Sequence, residues 1–218
     1  METPAIDLKT VGLALAAVLI IEWAAKAAAH HMALPPMIVL GTLRSLEIAT
    51  FITIASFSGD HGLATIGIHA NHLLMGLKKG ILWSIGFGIL VGTAFGILFL
   101  AGINPFEFMK TDMPSQQYEI LLFFMVGAMI SPIAEEIFFR GILYAFFRRW
   151  GIWVAVLSST LLFVIAHTIS SKIPVPQAIG GVLFAIAYEK EKNLIVPIVI
   201  HMSGNLAIFA LALMSAHP

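Results

Sequence analysis

The chain has 218 residues, 59% of them apolar and 11% charged, with a mean hydropathy of +0.96 and a formal net charge of zero. Soluble domains run about 45–50% apolar and about 25% charged, so this composition places the chain in a membrane, and the absence of a basic excess excludes a nucleic-acid partner. Cysteine is absent, which removes disulfides and thiolate zinc sites.

A transmembrane helix needs about 20 mostly apolar residues. In chain order the candidate spans are 11–29, 35–57, 81–103, 119–147, 152–170, 175–188 and 194–214. The first is long enough to cross and has no cleavage pattern of a signal peptide. It carries Glu22 with Lys26, and the second carries Arg44 with Glu47; helical spacing lets each pair neutralise itself. The third has Gly88, Gly92 and Gly96 at four-residue spacing, a stripe that lets another helix approach closely. The sixth is short and follows Pro174 and Pro176; with Gly180 and Gly181, the 174–181 stretch is the expected flexible segment. An eighth span requires splitting one of these seven. The expected fold is therefore an all-α, polytopic transmembrane bundle of about seven to eight spans. Residues 1–118 hold the N-terminal spans, about three, and 119–214 the remaining helices.

Charge between the spans alternates. Lys9, Lys78 with Lys79, Arg148 with Arg149, and Lys190 with Lys192 fall on one side, leaving Lys110 and Lys172 on the other. This positive-inside pattern puts the N-terminus in the cytoplasm and the C-terminus outside. His30, His31, His61, His69, His72 and His217 lie at span ends or between spans, where an interfacial or solvated role is expected.

Three polar clusters interrupt three apolar spans: Glu135, Glu136 and Arg140; Phe163 and His167; His201 and Asn205. Ionisable groups at such depth are expensive, on the order of 2.5–3.5 kcal/mol each on insertion scales, and mark function by default. Residues four apart share a helical face. Counted from the cytoplasmic ends at about 1.5 Å per residue, Glu135 lies roughly 18 Å deep, His167 roughly 22 Å, Asn205 roughly 17 Å and His201 roughly 11 Å. These depths allow one cavity. The chemistry such a set supports is hydrolysis. Glu135 is the general base toward water, Arg140 keeps Glu136 ionised, and His167 orients the water or shuttles its proton. His201 and Asn205 donate to a tetrahedral oxyanion. Ser131 and Ser203 have no base partner in sequence.

The ordered triple E-E-x-x-x-R, F-x-x-x-H and H-x-x-x-N resembles the CPBP (CAAX protease and bacteriocin-processing, or Abi) intramembrane proteases. The resemblance covers about residues 119–214. It implies a helical bundle with a membrane-embedded catalytic cavity, 119–214 as the catalytic core, and endopeptidase activity in which Glu135 activates water with His167. Glu136 and Arg140 hold the site, Phe163 supports it, and His201 with Asn205 forms the oxyanion hole. The substrate is then a membrane-associated protein or peptide, cut near its C-terminus in CAAX-type or protein-sorting-type processing, and the setting a bacterial cytoplasmic membrane. No cofactor is expected; the zinc alternative uses Glu135, His167 and His201. The other readings are a non-catalytic scaffold or bacteriocin self-immunity protein, and a proton-coupled transporter built on buried Glu and His.

Overall fold

The computed structural model describes residues 6–32, 34–58, 62–109, 111–168 and 174–216. Lys110, Lys172, His61 and His217 lie outside them, as do the side chains of His30 and His31. Among the described residues the regular structure is entirely helical. Seven principal helices follow one another: α1 (Leu8–Met32), α2 (Pro36–Ser56), α3 (Leu73–Leu100), α4 (Gln117–Trp150), α5 (Ile152–Ala166), α6 (Val175–Glu191) and α7 (Ile195–Ala216). Five segments, in α1, α2, α3, α4 and α7, are long and apolar enough to cross a membrane, and α5 and α6 are shorter. The chain is an integral membrane protein of all-α class.

Helix boundaries follow local chemistry. Asp7 caps α1 by accepting a 2.8 Å bond from the Thr10 amide. α2 begins on Pro36, whose missing N–H costs nothing in a first turn. α3 starts at Leu73, eight residues before the expected 81, and so contains Lys78 and Lys79. Two lysines do not end the helix because Lys79 reaches out to Glu191 at 2.6 Å, keeping its charge at the membrane edge while its stem covers apolar surface. α5 stops at Ala166 rather than running to 170, which places His167 on its C-terminal cap.

α4 is the axis. It touches α1, α2, α5, α6 and α7, while α3 lies along α7, α5 along α6 and α1 along α2. Tyr144, Ile142, Ala155, Val156, Ala185, Tyr188 and Leu194 are among the residues that form one buried core between α4, α5, α6 and α7. Outward faces carry large apolar side chains, such as Trp23 at 73% and Leu82 at 69% exposure, as a lipid-facing surface requires. The basic connections gather at one end: Arg148 and Lys192 both bind Glu189, Lys79 binds Glu191, and Arg149 donates to the Ile6 carbonyl.

Two glycine expectations change. Gly88, Gly92 and Gly96 meet no neighbour within 4 Å, so no described helix of this chain packs on that stripe. The close approach on α3 is made one and two turns into the helix, where a Cβ on Gly80 would lie 2.6 Å from Val199 Cβ of α7. The 174–181 stretch is helical from Val175, with Gly180 and Gly181 buried. A Cβ on Gly181 would sit 2.9 Å from Thr160 Cγ2, so tight packing against α5 takes the place of the expected flexible segment.

Candidate active site

α4 is not a uniform α-helix. Segments Phe124–Ile130 and Ile137–Tyr144 are π-helical, and the single stretch Ser131–Glu136 between them is α. Pro132 has no N–H to give to the carbonyl four residues back, and the widened turn before it absorbs that loss. Such π segments re-aim side chains and recur at functional sites. Here they flank the two glutamates.

Neighbouring helices then run antiparallel to α4 and bring their polar residues to it. On α7, His201 meets Glu136 and Asn205 meets Gly127. On α5, Phe163 packs edge-on to Phe139, and His167 faces Glu135. All three motifs therefore meet α4, and both histidines reach Glu135.

The structure separates the two glutamates into different environments. Glu136 and Arg140 are fully buried, 2.7 Å apart. Glu136 Oε1 also receives His201 Nδ1 at 2.8 Å. Arg140 Nη2 donates to the Gly181 carbonyl at 3.2 Å, and its guanidinium lies 4.6 Å from the Phe163 ring centroid and 5.1 Å from that of Phe184. Cation–π contacts of this kind strengthen when desolvated. Glu135 keeps an 11% exposed side chain and faces His167 Nε2 at 3.5 Å and His201 Nε2 at 3.8 Å. One carboxylate is structural in its bonding, and the other is open to a reactant.

Both histidines have their Nδ1 atoms committed. His167 Nδ1 donates to the Phe163 carbonyl at 2.8 Å, and His201 Nδ1 donates to a carboxylate that can only accept. Their Nε2 atoms are thereby aimed at Glu135, and each donates there only as imidazolium. Phe163 lies 4.4 Å from the His167 ring, and Phe184 stacks on His201 at 4.6 Å and 22°. Asn205 Nδ2 gives one N–H to the Gly127 carbonyl at 2.9 Å and has a second to offer. Ser203 donates back to Val199 O within its own helix, as expected of a residue without a base. No group of three His, Asp or Glu side chains among the described residues has the geometry to hold a metal ion.

Three participants escaped the sequence reading. Phe184 and the Gly181 carbonyl belong to α6, which carries no charged motif, and only packing reveals them. The third is the Arg44–Glu47 pair, 2.7 Å apart on α2. It forms as its spacing predicts, but in electrostatic contact with Glu135 and His167. Buried charge in a span was the available signal, and the pair's self-neutralising spacing masked it.

Comparison with known proteins gives the same region. The chain is 26% identical over 133 residues to an uncharacterized 24.3 kDa protein of Escherichia coli, covering 58% of this chain and 61% of that one. It is 34% identical over 98 residues to the membrane-embedded CAAX protease MroQ of Staphylococcus aureus (strain USA300), covering 42% and 38% respectively. The match thus spans less than two thirds of either relative. No solved structure matches the chain. Residues 117–207, which hold all three motifs, match the family described as type II CAAX prenyl endopeptidase Rce1-like, and over that segment the chain is similar to it.

Proposed function

We propose that the protein is an intramembrane endopeptidase that uses Glu135 as its general base. The observation that carries this reading is the carboxylate of Glu135, partly exposed, facing two histidine Nε2 atoms at 3.5 and 3.8 Å beside a fully buried Glu136–Arg140 pair. A water held between Glu135 and the scissile carbonyl gives its proton to Glu135 while its oxygen attacks the carbonyl carbon. The resulting oxyanion is met by the second N–H of Asn205 and by His201 as imidazolium. Glu135, assisted by His167, passes the proton to the leaving nitrogen as the C–N bond breaks, releasing a carboxylate and an amine.

In this reading 119–214 is the catalytic core. The substrate is a membrane-associated protein or peptide processed near its C-terminus, as in CAAX-type or protein-sorting-type cleavage. The basic end, with the N-terminus, faces the cytoplasm of a bacterial cell. The mechanism uses no metal: Glu135 cannot readily serve as ligand and base together. Chelator treatment of purified protein is expected to leave activity intact, and zinc-reversible loss would replace this mechanism with a zinc one.

The test is a comparison of wild type with Glu135→Ala in the native host, read by mass spectrometry of protein N- and C-termini in membrane and exported fractions. New termini that depend on Glu135 establish proteolysis and name the substrate. Unchanged termini with normal accumulation of the variant turn the assignment to a non-catalytic scaffold or immunity protein. Proton-driven flux in proteoliposomes without cleavage turns it to a transporter.

A further inference from the structure

The Arg44–Glu47 pair lies outside the family segment yet reaches the reacting groups. α2 runs beside α4 in the same direction. A Cβ on Gly41 would lie 2.9 Å from Val126 Cγ2, and Phe51 stacks on Phe138 at 5.4 Å. Between those two contacts Arg44 and Glu47 fall opposite the turn that precedes Glu135. Measured from Ser56 at the basic end, Arg44 sits about 18 Å in at 1.5 Å per residue. The guanidinium interacts electrostatically with both Glu135 and His167.

Mutual compensation does not use up this pair. Arg44 Nη1 gives its bond to Glu47 Oε2 at 2.7 Å, but Arg44 Nε and Glu47 Oε1 are buried without any hydrogen-bond partner. The Glu47 side chain is 1% exposed and that of Arg44 23%. With Nη1 committed, the Nε–Nη2 edge of the guanidinium remains. That edge presents two parallel N–H bonds, the fork that fits a carboxylate. A buried donor without a partner calls for an explanation, and an incoming ligand atom is one. At this depth lipid headgroup phosphates are out of reach. An anion arriving here is carried in by the substrate, and every peptide that ends inside the cavity brings one at its terminus.

We propose that the Nε–Nη2 edge of Arg44 binds the free C-terminal carboxylate of the substrate and so selects peptide bonds close to a chain end. This rests on the peptidase reading above, and assigns to α2 a specificity role within it. Glu47 is then the positioning residue that holds the guanidinium by Nη1 and leaves the fork open.

The test needs no turnover. A photo-crosslinkable aliphatic tripeptide is prepared as free acid and as amide, and its labelling of Glu135→Gln protein in nanodiscs is measured by mass spectrometry. The acid is expected to label about tenfold more than the amide, as loss of a charge-assisted fork implies. Adding Arg44→Gln together with Glu47→Gln, which removes both charges at once, is expected to bring the ratio close to one. Arg44→Lys keeps the ion pair but loses the fork, and is expected to lower the ratio even if the double variant fails to accumulate. Equal labelling by acid and amide in the parent overturns the proposal, as does a preference that survives either change. A clear acid preference with no Glu135-dependent termini in the host would leave the anchor standing and remove the peptidase reading instead.

Discussion

Glu22 with Lys26 and Glu136 with Arg140 have the same i, i+4 spacing in apolar helices. Their fates differ. The first pair is 3.9 Å apart, with Lys26 82% and Glu22 39% exposed. The second is 2.7 Å apart and fully buried. Glu22 has only longer-range electrostatic interactions with Arg44 and Glu47 beyond its partner, whereas Glu136 also holds His201, and Arg140 holds the Gly181 carbonyl between the Phe163 and Phe184 rings. Spacing makes an ion pair possible; the neighbours supplied by other helices decide whether it organises anything. The Arg44–Glu47 pair stands between the two cases, largely buried and in electrostatic reach of Glu135 but incompletely bonded.

The sharpest way to break this contrast is at Glu135. Its contacts to the histidines are 3.5 Å and longer, so Glu135→Gln is expected to leave the melting temperature nearly unchanged. It should lower cleavage by about 10²–10⁴-fold, the worth of a general base. A comparable loss of stability would move Glu135 into the structural class with Glu136.

Glu136→Gln inverts that pattern. Leaving Arg140 buried without its counter-charge is expected to cost about 3–5 kcal/mol, read by chemical or thermal unfolding in detergent. Glu22→Gln, at the same spacing but with a 3.9 Å pair and no buried partner network, is expected to cost less than Glu136→Gln in the same unfolding measurement.

Two glycines of α3 extend the contrast to packing. Gly80→Ala places a methyl against Val199 and is expected to destabilise by about 1–3 kcal/mol. Gly92→Ala meets nothing within 4 Å and is expected to be neutral or stabilising by up to about 1 kcal/mol through helix propensity. A large loss at Gly92 would reveal a second chain packed on that face.

The smallest effect is expected at the basic end, in the last turn of α6. Burial raises the Glu189 carboxyl, but bonds from Arg148, Lys192 and Tyr144 outweigh it and hold the group at about 2, below its ordinary 4.5. A lowered carboxyl stabilises the fold above its unfolded value, and that contribution fades as pH falls from about 5 toward 2. Unfolding measured across that window should show a decline of about 1–2 kcal/mol, limited by partial exposure, that Glu189→Gln removes.

Much of this was written in one dimension. Apolar runs broken by charge gave the helical class, because a bilayer leaves the backbone no other way to satisfy its polar groups. The four-residue spacings gave the shared faces of Glu136 with Arg140, Phe163 with His167 and His201 with Asn205, because helical geometry is local. Helical rise was a coarser guide: it set His201 roughly 7 Å shallower than Glu135, yet the two side chains lie 3.8 Å apart. Helix ends were less legible: Lys78 and Lys79 looked like a boundary, yet a lysine can remain helical when a partner such as Glu191 lies within reach. Other features are relations between helices, which no spacing contains. Glu136 rather than Glu135 takes His201 Nδ1, the glycine contact on α3 is at Gly80 and not at Gly92, and α6 contributes Phe184 and a carbonyl. Arg44 from the N-terminal half comes within electrostatic reach of Glu135 for the same reason. Residue types and their period determined what chemistry the chain carries, because those depend on neighbours along one helix. Which carboxylate is fully buried and which stays partly exposed was decided only when α2, α5, α6 and α7 closed on α4, because burial is a property of the assembled bundle.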